Sequence, residues 1–269
     1  MLTRILTALV LAPLVIAAAW LAPDTIGAAL VVAAAALAAW EYVALFSLKE
    51  SRTLHVVATG WVTLGPALAF LPPHYLLVWL FCSPMVALAI YLVAADRIPK
   101  ALHEGPGIGM GALYVGLLMA SVVLLARLPG WGGSGLIMLF AVVWLGDSGA
   151  YFGGKFLGRH KLHPRVSPKK TIEGSLFGLA ASAGGAFLIH QVCGSPLSVP
   201  LLLAAGLGGG IAEQIGDLCE SVLKRSAGVK DSGALLPGHG GMLDRIDGLL
   251  FAAPIVYGLY VFALSGGGL

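Results

Sequence analysis

Long apolar runs separated by short polar breaks dominate the chain. Nine runs, at roughly 5–21, 26–47, 56–72, 75–95, 107–128, 135–154, 174–193, 199–223 and 242–265, match or approach the ~20 apolar residues that a helix needs to cross a bilayer core. Glycine or proline interrupts several of them, as at Gly65-Pro66 and Pro84. Membrane helices tolerate this because neighbouring helices satisfy the freed backbone groups. The pattern predicts an all-α, polytopic integral membrane protein of about nine transmembrane helices. The run that follows Arg4 is read as an uncleaved first span rather than a signal peptide, because it is long and the chain continues as further spans.

The charges fix an orientation. Lys and Arg favour cytoplasmic loops. With the N-terminus inside, alternate loops hold Arg4, Lys49, Arg52, Arg97, Lys100, Lys155, Arg159, Lys161, Arg165, Lys169, Lys170, Lys224, Arg225 and Lys230, which is 14 of the 16 basic residues. The opposite set holds only Arg127, and Arg245 opens the ninth span. Eight or ten spans would scramble this separation, so the C-terminus is expected outside. Composition agrees: 58% of residues are hydrophobic and 11% charged, against roughly 25% charged in a soluble domain. A net charge of +3 carries no nucleic-acid footprint. Cys82, Cys193 and Cys219 form no Cys-x-x-Cys pair, so neither zinc nor a disulfide framework is suggested.

Carboxylates in membrane helices are costly and mark functional sites by default. Asp147, Glu213, Asp217, Glu220, Asp244 and Asp247 qualify, with Glu41 nearer the inner end of the second span. Asp217 lies seven residues before Lys224, about 10 Å along a helix, which places it in the cytoplasmic half of the bilayer. Glu213, Asp217 and Glu220 follow i, i+4, i+7, and Asp244 and Asp247 follow i, i+3, so each set shares one helix face. Gathered carboxylates repel unless protonated or bridged by a cation. A divalent-metal site drawn from Asp217, Glu220, Asp244 and Asp247 is therefore expected, with Mg2+ suited to oxygen ligands and phosphates. A plainer alternative stands beside it. Asp244 suits a helix N-terminus, and Asp217 and Glu220 can pair with Lys224 or Arg225 one or two turns on.

The loops supply the opposite charge. Residues 155–170 read KFLGRHKLHPRVSPKK and residues 224–230 read KRSAGVK. Acids beside basic loops suit a metal–polyphosphate substrate, although anionic lipid headgroups would attract the same loops. The run Gly238-His239-Gly240-Gly241 lets backbone N–H groups approach an anion just before a helix. His239 is open among a base, a phosphate contact and a turn residue. No Walker loop and no G-x-G-x-x-G is present.

From Ser221 to Asp247 the chain reads SVLKRSAGVKDSGALLPGHGGMLDRID. This resembles the signature of the phosphatidate cytidylyltransferase (CDP-diacylglycerol synthase) family, with every fixed position met. GDSGAYFGGKFLGRHKL at 146–162, SPKKTIEG at 167–174 and EQIGDLCES at 213–221 are also similar to the family, whereas the first five spans match it only in length and hydropathy. The resemblance implies transfer of the cytidylyl group of CTP to phosphatidic acid, with release of pyrophosphate. It implies Mg2+, allows a monovalent cation such as K+ beside it, and implies a homodimer in the bilayer of the bacterial inner membrane, with the active site facing the cytoplasm. On the matching positions Asp217, Lys224, Asp244 and Asp247 would be catalytic. Lys169, Lys170, Arg225, Lys230, His239, Gly240, Gly241 and Arg245 would bind substrate. Asp147, Glu213, Ser221 and Asp231 lie close by with roles left open.

The chain is divided accordingly into residues 1–134, spans one to five, a scaffold with possible oligomer contacts, and residues 135–269, the catalytic spans six to nine with cytoplasmic loops 155–173 and 224–241. A related CTP-using enzyme acting on a polyprenol or another lipid phosphate is the nearer alternative, and an ion-coupled transporter the more distant one. A CDP-alcohol phosphotransferase is excluded because the chain has no D-G-x-x-A-R run.

Overall fold

The computed structural model describes residues 13–21, 24–46, 51–92, 94–233 and 240–266. Helix α1 covers residues 13–21. It is followed by α2 (Asp24–Leu45), α3 (Arg52–Leu68), α4 (Pro73–Ala89), α5 (Ala101–Gly111) and α6 (Leu118–Ala126). The second half holds α7 (Gly132–Leu157), strands β1 (Lys161–His163) and β2 (Ser167–Thr171), then α8 (Ile172–Cys193), α9 (Val199–Leu203), α10 (Gly209–Ser226) and α11 (Leu243–Leu264). π-helical turns at Ala112–Leu117 and Ala204–Gly208 join α5 to α6 and α9 to α10. Among the described residues, seven continuous helical segments are long and apolar enough to cross a bilayer. The protein is a polytopic membrane protein, nearly all α. Each predicted run from 26–47 onward coincides with a helix, while the first is described only from residue 13.

Three departures have local causes. α3 begins before the run 56–72 because the Oγ of Ser51 accepts the amide of Leu54 at 3.5 Å, capping the helix and drawing polar residues into it. The loop expected before residue 107 is instead helical from Ala95. There Arg97 is buried against Glu104 at 2.5 Å, and Tyr91 donates its hydroxyl to the same carboxylate at 3.3 Å. The all-α expectation also needs correction in the loop after α7, where β1 and β2 form an antiparallel hairpin with Lys161 opposite Thr171 and His163 opposite Ser167. Glu173 explains the hairpin: its carboxylate accepts the amides of Arg159 at 3.0 Å and His160 at 3.2 Å and meets His160 Nδ1 at 2.6 Å.

Large apolar side chains point outward, as a hydrocarbon solvent allows. Leu102 is 82% exposed and Phe81 77%, while Tyr42, Tyr260, Ile108 and Met138 fill the interior. Helices α7 and α8 make the most extensive helix–helix contact, and they meet through small residues. A Cβ on Gly149 would fall 2.9 Å from the carbonyl oxygen of Phe177, and one on Gly178 would fall 3.1 Å from that of Gly146. Small residues allow such approach where no hydrophobic effect drives association. Gly206 and Gly210 serve the same end within the chain: a Cβ on either would crowd Ala183 or Ser182 of α8. The three cysteines are free and partly buried, one each in α4, α8 and α10.

Candidate active site

One face of α10 carries Glu213, Asp217, Glu220 and Lys224, and around it two polar regions form. The first lies between α7, the hairpin, α8 and α10. It is a cavity of about 330 Å³ whose charged lining is Asp147, Lys155, Lys169, Lys170 and Glu213. Thr171 caps α8, its Oγ1 accepting the amide of Gly174 at 3.1 Å, and so fixes where β2 hands over to the helix. The two preceding residues, Lys169 and Lys170, are thereby set at the cavity. Lys170 reaches across it to Asp217, Nζ to Oδ2 at 2.5 Å, and Ser221 Oγ lies 3.4 Å from the other oxygen of Asp217. Asp147 and Glu213 supply the acidic part of the lining.

The second region is built by the signature segment. Lys224 ion-pairs with Glu220 one turn back on α10 and with Asp244 Oδ1 on α11 at 2.6 Å. Asp244 Oδ2 accepts the amide of Gly241 at 2.8 Å and both the amide and the hydroxyl of Ser232 at 3.0 Å. Four donors thus meet this carboxylate, three at Oδ2 and Lys224 at Oδ1. Glu41, from α2, accepts the amides of Met242 at 3.0 Å and Leu243 at 2.9 Å and the hydroxyl of Ser232 at 3.0 Å. Asp247 lies between the two regions, within electrostatic reach of Asp217, Asp147 and Lys224, and one oxygen accepts the amide of Gly248 at 2.8 Å.

The expected residues therefore divide. Asp147, Lys169, Lys170, Glu213 and Asp217 gather at the cavity, Glu220, Lys224 and Asp244 form an ion-paired knot beside it, and Asp247 bridges them. Arg225, Lys230 and Asp231 are exposed on the loop side, where Arg225 donates to the carbonyl of Val229 at 3.0 Å. Arg245 is exposed and within electrostatic reach of Asp147. His239 lies outside the described residues. The anion that Gly241 meets is the protein's own Asp244, and Gly240, at φ +79°, makes the turn that brings them together. Lys155, Ser175 and Gln214 also line the cavity, with Gln214 donating to the Ser175 carbonyl at 3.1 Å. Lys155 stood in the quoted basic run but only the fold distinguishes it from its neighbours. Glu41 and Ser232 gave no signal of their roles, which depend on contacts across about two hundred residues of sequence.

Among the described residues no three His, Cys, Asp or Glu side chains already converge on a common metal position. The donor chemistry nonetheless suits Mg2+, since every acid is a hard oxygen ligand. Glu213 Oε2 and Glu220 Oε1 are buried acceptors without a hydrogen-bond donor. A cation that takes one or two carboxylates and completes its shell with water and phosphate fits such a site.

The model of the cytidylyltransferase family matches residues 2–263. Phosphatidate cytidylyltransferase of Brucella suis is 37% identical over 258 residues, covering 95% of this chain and 91% of that protein. Those of Pseudomonas aeruginosa and Thermotoga maritima are 38% identical over 259 residues and 34% over 264, covering 94% and 95% of this chain and 94% of each protein. The likeness therefore extends through the first five spans, which the motifs alone did not reach. A single alignment running from the first helices to the last, over a bundle that holds basic residues against a carboxylate face, establishes that this chain belongs to the cytidylyltransferase family and is a nucleotidyltransferase.

Proposed function

We propose that this protein transfers the cytidylyl group of CTP to phosphatidic acid, forming CDP-diacylglycerol and pyrophosphate. The observation that carries this reading is the cavity that places Lys155, Lys169 and Lys170 opposite Asp147 and Glu213, with Asp217 tied to Lys170. The acceptor's phosphate oxygen attacks the α-phosphorus of CTP, and the bond from that phosphorus to the β-phosphate bridging oxygen breaks. The attacking oxygen is already anionic, so no protein base is required. The barrier lies in bringing two polyanions together. Lys155, Lys169 and Lys170 neutralise the triphosphate and the departing pyrophosphate. Asp217 and Asp247 are the carboxylates that would hold Mg2+, with Glu220 beside them; Asp244, which meets four donors, holds Lys224 in place. When bound, Mg2+ supplies charge neutralisation on the phosphate oxygens.

In this reading the chain crosses the bacterial inner membrane nine times, with the N-terminus and the site on the cytoplasmic side, and works as a homodimer. The separation of basic residues supports the orientation, because Lys155, Lys169, Lys170 and Lys224 all gather at one end of the bundle. The test supplies purified protein with phosphatidic acid, Mg2+ and CTP labelled at the α-phosphate. A lipid-soluble cytidine product that disappears with EDTA and returns with Mg2+ is expected. Label passing to lipid only from γ-labelled CTP would identify a kinase instead.

A further inference from the structure

Glu41, outside the expected set, is a buried carboxylate with three donors. It sits 7% exposed on α2, in the half of the chain without signature motifs, yet each of its hydrogen bonds described above goes to the signature segment. Met242 and Leu243 carry two of the amides at the start of α11 that have no partner within the helix. A carboxylate there satisfies both and complements the positive end of the helix dipole. The fit is close: a Cβ on Gly233 would fall 2.7 Å from the carboxyl carbon of Glu41. Ser232 then relays the connection. Its hydroxyl oxygen lies 3.0 Å from both Glu41 and Asp244, with one proton shared between the two carboxylates, and Asp244 holds Lys224.

We infer that Glu41 is a positioning residue for the transfer reaction: it anchors the start of α11 and, through Ser232, sets Asp244, Lys224 and the neighbouring Asp247. This rests on the transferase reading given above. Four donors on Asp244 fix its orientation, and Asp247, one turn on, is carried by the same helix start. Without Glu41 the two amides would lose their acceptor, the Ser232 hydroxyl would keep only Asp244, and the first turn of α11 would fray.

The test uses the full-length protein in detergent with Glu41→Ala and Glu41→Gln. Hydrogen exchange at the Met242 and Leu243 amides should speed up at least about tenfold in Glu41→Ala, since bonds to a charged acceptor are the stronger kind. Exchange in α7 and α8 should not change. Turnover should fall at least about tenfold in kcat with KM for CTP within about threefold, and Glu41→Gln, which keeps one carbonyl acceptor, should recover part of both. Unchanged exchange, or a loss confined to KM for CTP, would overturn the inference. If Glu41→Ala does not fold, Ser232→Ala carries the test, with kcat expected to fall about threefold; no change would overturn the relay. If the wild-type protein makes no cytidine lipid, the transferase reading fails, while the exchange data still report whether Glu41 anchors α11.

Discussion

Lys170 of the hairpin and Asp217 of α10 meet at 2.5 Å, and this one contact ties the basic loop after α7 to the acidic face of α10. Both side chains keep about a quarter of their surface open, 26% and 29%. The pair is therefore accessible to an incoming anion, for which Lys170 can exchange Asp217, leaving the carboxylate for a cation. Removing the ammonium with Lys170→Ala should raise KM for CTP about tenfold, the value of one charge-assisted contact, with a smaller change in kcat. A CTP titration reads this directly; an unchanged KM would take Lys170 out of the nucleotide site.

Asp217 takes Lys170 at one oxygen and Ser221 near the other, and Asp247 takes the amide of Gly248 at one oxygen; these are the two acids proposed to hold the cation. Asp217→Asn and Asp247→Asn should each lower turnover by about a hundredfold or more, comparable to loss of one preorganised electrostatic contact. Size-exclusion profiles should match the wild type. An active Asp247→Asn protein would show that this acid only shapes the helix.

Lys224 is a structural cation as much as a functional one. Glu220 is fully buried, and with Asp244 it surrounds the ammonium. Lys224→Met would leave two acids in a poorly solvated place and should cost ~3–5 kcal/mol, the penalty typical of breaking a buried pair from one side. Adding Glu220→Gln should return part of that loss. Thermal unfolding of the single and double variants in detergent measures both, and equal unfolding temperatures for all would argue against a buried pair.

Gly149, where α7 meets α8, and Gly184, on the open side of α8, make a useful comparison. A side chain at Gly149 would press on the Phe177 backbone, whereas a Cβ at Gly184 meets nothing within 4 Å. Gly149→Val should destabilise by ~1–3 kcal/mol, as overpacking does, while Gly184→Ala should leave the unfolding temperature nearly unchanged.

Seven of the spans were legible because a bilayer imposes a length on every crossing, and seven described helical segments meet it, whereas α3 has only 17 residues. Helix ends were less so. The start of α3 depends on a single cap at Ser51, and the entry to α5 on the buried pairing of Arg97 with Glu104. The acids of α10 were found by their spacing, and the alternative pairing of Glu220 with Lys224 is present in the structure alongside the cavity. The division of labour among them was not legible. Asp244 and Asp247 look alike as i, i+3 partners, yet one is held by Ser232, Gly241 and Lys224, and that difference comes from residues outside the i, i+3 pattern. Glu41 was noticed only as an acid in a span, since nothing in its neighbourhood along the chain points to Met242 and Leu243.

Tyr151 lines the cavity and is also 59% exposed, next to Phe152 and Phe156 on the outer side of α7. Tyr151 therefore belongs both to the cavity lining, with its lysines, and to the outer apolar surface of α7. An acceptor entering past Tyr151 would arrive by two-dimensional diffusion, never lifting its acyl tails from the membrane. Its working concentration would then be a mole fraction of the surrounding lipid, so diluting it with inert lipid would slow the enzyme even at a constant amount per litre.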